Sequence, residues 1–147
     1  MKKFYKGRVI LPAAIEGEAL VTSKGFNNLA CFYQSILAES DIALCSDQDN
    51  PELFGKNLTG KIICLPRSIG STTAGATWYR VAQLGMAPKA MLFSQSIDSL
   101  AAAGLILAEV WLEKRICTVD RLGESFLHDV RSGMRLKVHE DGTVEVL

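Results

Sequence analysis

What this 147-residue chain lacks narrows its possibilities first. Neither charge is in excess: sixteen Lys and Arg balance sixteen Asp and Glu, for a formal net charge of zero. Proteins that wrap nucleic acid carry a basic excess or stripe, so DNA and RNA are not expected partners. No run reaches the roughly 18 to 20 apolar residues needed to span a bilayer. The nearest, SLAAAGLILAEVWL, is short and interrupted by Glu109, so no membrane partner is expected either. The opening MKKFYKGRVILPAAIEGEA places lysines before an apolar stretch, but Arg8 breaks it and Glu16 ends it. That pattern fits a strand rather than a secretory leader, and a cytoplasmic location is expected. Only four prolines occur and 48% of residues are hydrophobic, which excludes a disordered or fibrous chain. The cysteines, Cys31, Cys45, Cys64 and Cys117, form no CxxC, and His128 and His139 complete no zinc spacing. Cys64 and Cys117 lie inside apolar runs, as small packed hydrophobes do. No metal held by this chain alone is expected.

What is present is a core. For 16.0 kDa, area scaling gives a folded surface of roughly 7,400 Å² against about 23,000 Å² unfolded, with about 68% buried. The length suits a single domain over residues 1–147. FYKGRVIL and EGEALVT read as strands. From Asn28 to Glu39, apolar residues at Leu29, Phe32, Tyr33, Ile36 and Leu37 give the i, i+3, i+4, i+7, i+8 spacing of an amphipathic helix. SDQDNPELFGKNLTG then reads as a long surface loop. KIICLP, MAPKAMLFS and RICTVD are short continuous apolar runs, as expected of strands covered on both faces. Helical patterns over ATWYRVAQLG and SIDSLAAAGLILAEVWLEK separate them. MRLKVHED-GTVEVL closes the chain with a hairpin around Asp141-Gly142. The predicted fold class is α/β: one domain with a parallel βαβαβ core and additional β structure from both termini.

PRSIGSTTAGA, residues 66–76, lies between a buried strand and a helix, where parallel sheets bind ligands. Gly70 and Gly75 permit close backbone approach. Ser71, Thr72 and Thr73 are each possible helix caps. Either one of these hydroxyls caps the helix, or free amides at its start receive a carboxylate or phosphate; both remain open. The segment is not a Walker A loop, for it lacks the lysine, and no nearby histidine makes Ser71 the nucleophile of a GxSxG elbow.

The stretch from Asn57 to Gly123, with LPRSIGSTTAG, APKAMLFSQSIDSLAAAGLILAEVW and RICTVDRLG, resembles the small subunit, or swivel domain, of the aconitase X family. The opening KGRVILPAAIEGEALV fits the start of the same domain. The resemblance implies a swivelling β/β/α domain docked on a large aconitase X subunit that carries an iron–sulfur cluster. Together they would remove water from a small hydroxy acid, either cis-3-hydroxy-L-proline or mevalonate 5-phosphate. Ser71 corresponds to the family serine proposed as the catalytic base, with Gly70, Thr72, Thr73 and Arg67 around the substrate. Archaeal members place an arginine directly before the Gly-Ser pair, where this chain has Ile69. Without that phosphate clamp, and with the bacterial-type IGSTTAG and FSQSIDSLAAAG, the hydroxyproline activity is the expected one.

Elsewhere the expectations are structural. Asp98 reads as an N-cap and a secondary site candidate. Ala101, Ala102, Ala103 and Gly104 read as close packing of helix on sheet, and Trp78, Tyr79 and Trp111 as core or subunit-contact residues. Lys2, Lys3 and Lys6 read as a solvated face, and His128 and His139 receive no catalytic role. A stand-alone anion-binding regulatory module is the competing function. A phosphohistidine swivel domain is set aside, since no histidine lies between Ser46 and Leu127.

Overall fold

The structure is a computed structural model and describes residues 2–70 and 73–147. The first extended segment is divided at one position: β1 (Lys3–Lys6) and β2 (Arg8–Leu11) flank Gly7. A Cβ at Gly7 would stand 2.5 Å from the Asp120 carbonyl oxygen and 2.6 Å from Val119 Cγ1, so glycine lets the segment cross closely there. β3 (Ile15–Val21) and β4 (Phe26–Asn27) lead into α1 (Asn28–Ala38). The predicted helical spacing is realised, and Asn27 caps it, Oδ1 accepting from Ala30 N at 3.1 Å. Next come β5 (Ile62–Leu65), β6 (Ser68–Ile69), α2 (Ala74–Gln83), β7 (Ala90–Phe93), α3 (Ser99–Leu112) and β8 (Cys117–Asp120). α4 (Glu124–Asp129), β9 (Arg135–Val138) and β10 (Thr143–Val146) complete the chain.

The main sheet runs β1-β10-β9-β3-β5-β7-β8-β2. β3, β5, β7 and β8 are mutually parallel, as the alternation of strand and helix predicts. The remaining pairs are antiparallel, including the β9–β10 hairpin. The two edge strands, β1 and β2, are successive pieces of one segment. The sheet therefore wraps until its edges lie one residue apart, with the Gly7 N–H donating to the Gly142 carbonyl at 3.1 Å.

Alternation along β5 divides the interior in two. Ile63 and Leu65 join the helix-side core with Met91 and Phe93, whereas Ile62 and Cys64 join the opposite core with Leu92, Val119 and Phe126. Both faces are covered, which accounts for the unbroken apolar runs. On the helix side Trp78 is fully buried, stacked on Phe26 at 6.1 Å and edge-on to Phe32 at 5.6 Å. Each such ring pair adds about 0.5–1.5 kcal/mol beyond its area, and together they tie α2, β4 and α1. α2 and α3 meet backbone to backbone: a Cβ on Gly104 would overlap the Gly75 carbonyl. The close approach expected of helix on sheet is, at Gly104, an approach of helix to helix, because Gly75 offers bare backbone opposite it.

The loop reading needs correction. The connection after α1 is not simply surface: Leu53 and Leu58 are fully buried, and Asp47 and Asn50 are buried with them. Isolated leucines among turn residues carry no periodicity, so their burial is invisible in sequence. They go inside because the segment folds on itself, with Cys45 N donating to Lys56 O at 2.9 Å and Leu58 N to Ala43 O at 2.8 Å. α4 was not anticipated, since its six residues bury only Phe126. Lys2, Lys3 and Lys6 are exposed, as a solvated face should be, and each reaches a carboxylate, on Glu145, Asp129 and Asp141 respectively. Among the described residues, no helix is long and apolar enough to cross a membrane.

Candidate functional site

The parallel strands β3, β5, β7 and β8 all end on one side, and residues 66–70 leave β5 there. This stretch is not only a glycine turn. β6 pairs in parallel with β4, Ser68 opposite Phe26 and Ile69 opposite Asn27, and Phe26 N donates to Arg67 O at 2.8 Å. Because Phe26 stacks on Trp78, the aromatic core fixes where the segment runs. Gly70 then turns at φ +121°, a conformation that favours glycine. A Cβ there would lie 3.1 Å from Asn27 Oδ1, so Gly70 passes directly over the capped start of α1.

Ser71 and Thr72 lie outside the described residues. Thr73 occupies the N-cap position of α2, but its side chain makes no capping hydrogen bond. The other two long helices are capped: Asn27 serves α1, and Asp98 serves α3, accepting from Ala101 N at 2.9 Å. Asp98 is thus the cap that sequence suggested. Thr73 is already helical there, at φ −73° and ψ −8°, whereas Asn27 and Asp98 are extended as caps are. The start of α2 carries the partial positive charge of a helix N-terminus. Arg67 is exposed. Ile69 is 44% exposed, and its Cγ2 stands 2.5 Å from where a Cβ on Gly25 would be. Glycine at 25 makes the room that Ile69 fills.

The neighbouring loops are held by carboxylates that sequence reading did not single out. Asp120, fully buried at the end of β8, accepts from Arg8 Nε at 2.9 Å, Arg8 Nη2 at 2.7 Å and Ile97 N at 2.8 Å. Burial alone would raise its pKa, but these donors and the guanidinium charge outweigh burial and hold it below the usual range. Glu52 accepts from Ser23 N at 2.9 Å and from the Thr22 and Ser23 hydroxyls at 3.0 Å. Burial is again overcome, and its carboxyl stays low. Arg8 and Asp120 are 112 positions apart, and no local signal joins them.

Two recesses flank the 66–70 segment. One, of about 370 Å³, borders Asn27, Tyr33, Ser46 and Asp47. The other, of about 260 Å³, borders Pro66, Ser94, Glu124 and the exposed His128. The cysteines lie apart from both sides of a common site: Cys31 and Cys45 are in the helix-side core, Cys64 and Cys117 in the opposite one. The Cys31 and Cys45 thiols interact with each other, which raises Cys31 and lowers Cys45. Burial pushes Cys64 well up and Cys117 to about 11. This donor set does not assemble a cluster site, and among the described residues no group of three His, Cys, Asp or Glu is placed to hold a metal. The site offers instead the Gly70 turn, the start of α2 at Thr73 and two recesses.

Comparison with known proteins gives these features a family. The profile of the aconitase X swivel domain matches residues 4–146. The phosphomevalonate dehydratase small subunit of Aeropyrum pernix is 32% identical over 97% of this chain and 92% of that protein. Its namesake from Pyrococcus furiosus is 29% identical over 97% and 94%. In three dimensions the chain resembles Thermococcus kodakaraensis aconitase X in its holo-form. The TM-score is 0.80 with 29% identity, over 99% of this chain and 98% of that one. The solution structure of a UPF0107 protein gives a TM-score of 0.78 with 27% identity, over 99% of each chain. The chain belongs to the aconitase X swivel domain family, as the small subunit of an aconitase X-type dehydratase.

Proposed function

We propose that this chain is the small half of a cytoplasmic two-chain hydro-lyase, inactive without its large subunit, and that Ser71 is its base. The observation that carries this is the start of α2. Gly70 turns into the serine position at φ +121°, and the helix behind it opens at Thr73 without a side-chain cap. Ser71 would take a proton from the carbon beside the substrate carboxylate as hydroxide departs from the adjacent carbon and a double bond forms. Gly70, Thr72, Thr73 and Arg67 would hold the carboxylate end. Lewis-acid help for the departing hydroxyl would come from an iron–sulfur cluster in the large partner.

A serine hydroxyl is a poor base unless its surroundings activate it. A helix start contributes about 2 kcal/mol at best, and at about 1.36 kcal/mol per unit that lowers a pKa by roughly 1.5 units. The remaining positive field has to come from the partner, which is why the isolated chain should be inactive. Four unpaired thiols suit a reducing compartment such as the cytoplasm.

For the substrate we favour cis-3-hydroxy-L-proline. Ile69 stands where a phosphate-clamping arginine would be and packs over Gly25 instead. The names of the relatives favour a second substrate, mevalonate 5-phosphate, for which Arg67 is the one guanidinium in residues 66–70. The reconstituted pair should be assayed with both compounds. Ser71→Ala should leave assembly intact and reduce turnover at least a thousandfold; near-normal turnover would overturn its role. A stand-alone anion-binding module would instead bind phosphate or carboxylates tightly without any partner.

A further inference from the structure

The recess beside Asn27 contains one carboxylate with an uncommitted oxygen. Asp47 is only 7% exposed. Its Oδ1 accepts from Asp49 N at 3.0 Å, closing a local turn, while Oδ2 has no hydrogen-bond or ion-pair partner among the described residues. The lining supplies no cationic side chain to pair with this oxygen. Among the described residues bordering the recess, Asp47 alone is charged. Gln34 and Gln48 bring amide oxygens and Tyr33 a phenol ring, groups that coordinate or stack on cations. The start of α1 contributes about half a positive charge, which one carboxylate outweighs. The volume of about 370 Å³ falls in the range of small-molecule sites. Asn27 joins the recess to the serine turn, since it both lines the recess and touches Gly70.

We infer that this recess is a cation site, taking an ammonium or guanidinium nitrogen on Asp47 beside the serine turn. Because Asn27 touches Gly70, an anionic group at the start of α2 and a cationic one on Asp47 would be held side by side. The nitrogen has two possible sources: the substrate itself, or a lysine or arginine of the large subunit. The first source rests on the dehydratase function proposed above; the cation preference does not.

The full chain, labelled with ¹⁵N, is titrated with ethylammonium chloride and separately with inorganic phosphate. Ethylammonium should shift the amides of residues 27–34 and 46–48 with a millimolar Kd, whereas phosphate should not. Asp47→Asn keeps the Oδ1 acceptor of the turn and should weaken ethylammonium binding at least fivefold. Gln48→Lys, at an exposed position, should abolish it by placing an ammonium at the mouth. Phosphate shifting these amides at lower concentration, or an Asp47→Asn titration identical to wild type, would overturn the assignment. In the reconstituted pair, a substrate source predicts about a tenfold higher KM for cis-3-hydroxy-L-proline with little change in kcat. A partner source predicts a similar weakening of subunit association at unchanged KM. If neither changes, the site is refuted; if the wild-type pair ignores hydroxyproline, only the substrate assignment fails and the amine titration stands.

Discussion

Gly75 and Gly104 bring two helices into backbone contact directly behind the candidate site. A Cβ on Gly104 would overlap the Gly75 carbonyl and its Cα, whereas one on Gly75 would meet the Leu100 carbonyl at 3.0 Å. The two positions are therefore unequal. Gly104→Ala should cost about 1–3 kcal/mol, as overpacking does, and Gly75→Ala clearly less. Chemical denaturation of both variants measures the order. Equal losses would mean that α3 yields as readily as α2.

Thr73 offers a separation of stability from activity. Because Thr73 is already helical, an aspartate there acts as a negative charge in the first turn of α2 and should stabilise the chain by about 0.3–1 kcal/mol. The same carboxylate should repel an anionic substrate group and make Ser71 harder to ionise. Thr73→Asp is expected to keep or raise the Tm while lowering kcat/KM of the assembled pair at least tenfold. Unimpaired turnover would show that the start of α2 is not where the anion sits.

Acid should destabilise the fold with a definite sign. Glu52 and Asp120 are held below their usual range against burial, and Asp141, chiefly through the Thr143 amide, lies at about 2. Groups lowered in the folded state contribute fully above their unfolded values near pH 4 and lose that contribution as pH falls through the folded ones. The Tm should be level above about pH 5 and fall toward pH 2. Arg8→Gln frees the Asp120 carboxyl to rise, so its decline should begin at higher pH. Parallel curves for variant and wild type would show that Arg8 does not govern Asp120.

The thiols should be silent in the native protein. All four cysteines are 2% exposed or less, so a dissolved reagent cannot reach them, and burial also pushes Cys117 to about 11. An aromatic disulfide reagent should register fewer than one thiol in minutes under native conditions and four in guanidinium. Rapid reaction of two would indicate that the segment carrying Cys45 opens away from α1.

The sequence makes legible whatever is repeated or local. KIICLP, MAPKAMLFS and RICTVD announce a parallel core because strands buried on both faces have no polar alternation to hide them. Asp141-Gly142 announces its hairpin because Gly142 adopts φ +89°. What escaped depends on distant partners. β4 and β6 are two residues each, and their pairing is set by Phe26 lying against Trp78, fifty-two positions away. Leu53, Leu58 and Asp47 lie in a segment whose composition suggests only a loop. Thr73 has the right chemistry for a cap and makes none. The role proposed for Ser71 rests on resemblance to a family, since a hydroxyl among glycines does not announce catalysis.

The aromatic stack also equips the molecule with its own optical reporters. Of the two tryptophans, Trp78 is sealed between Phe26 and Phe32, whereas Trp111 is 68% exposed on α3. Dissolved iodide should quench the second fluorophore and spare the first. Events at the serine turn, transmitted through Phe26, would then register in the blue-shifted emission alone, and contacts along α3 in the red-shifted one.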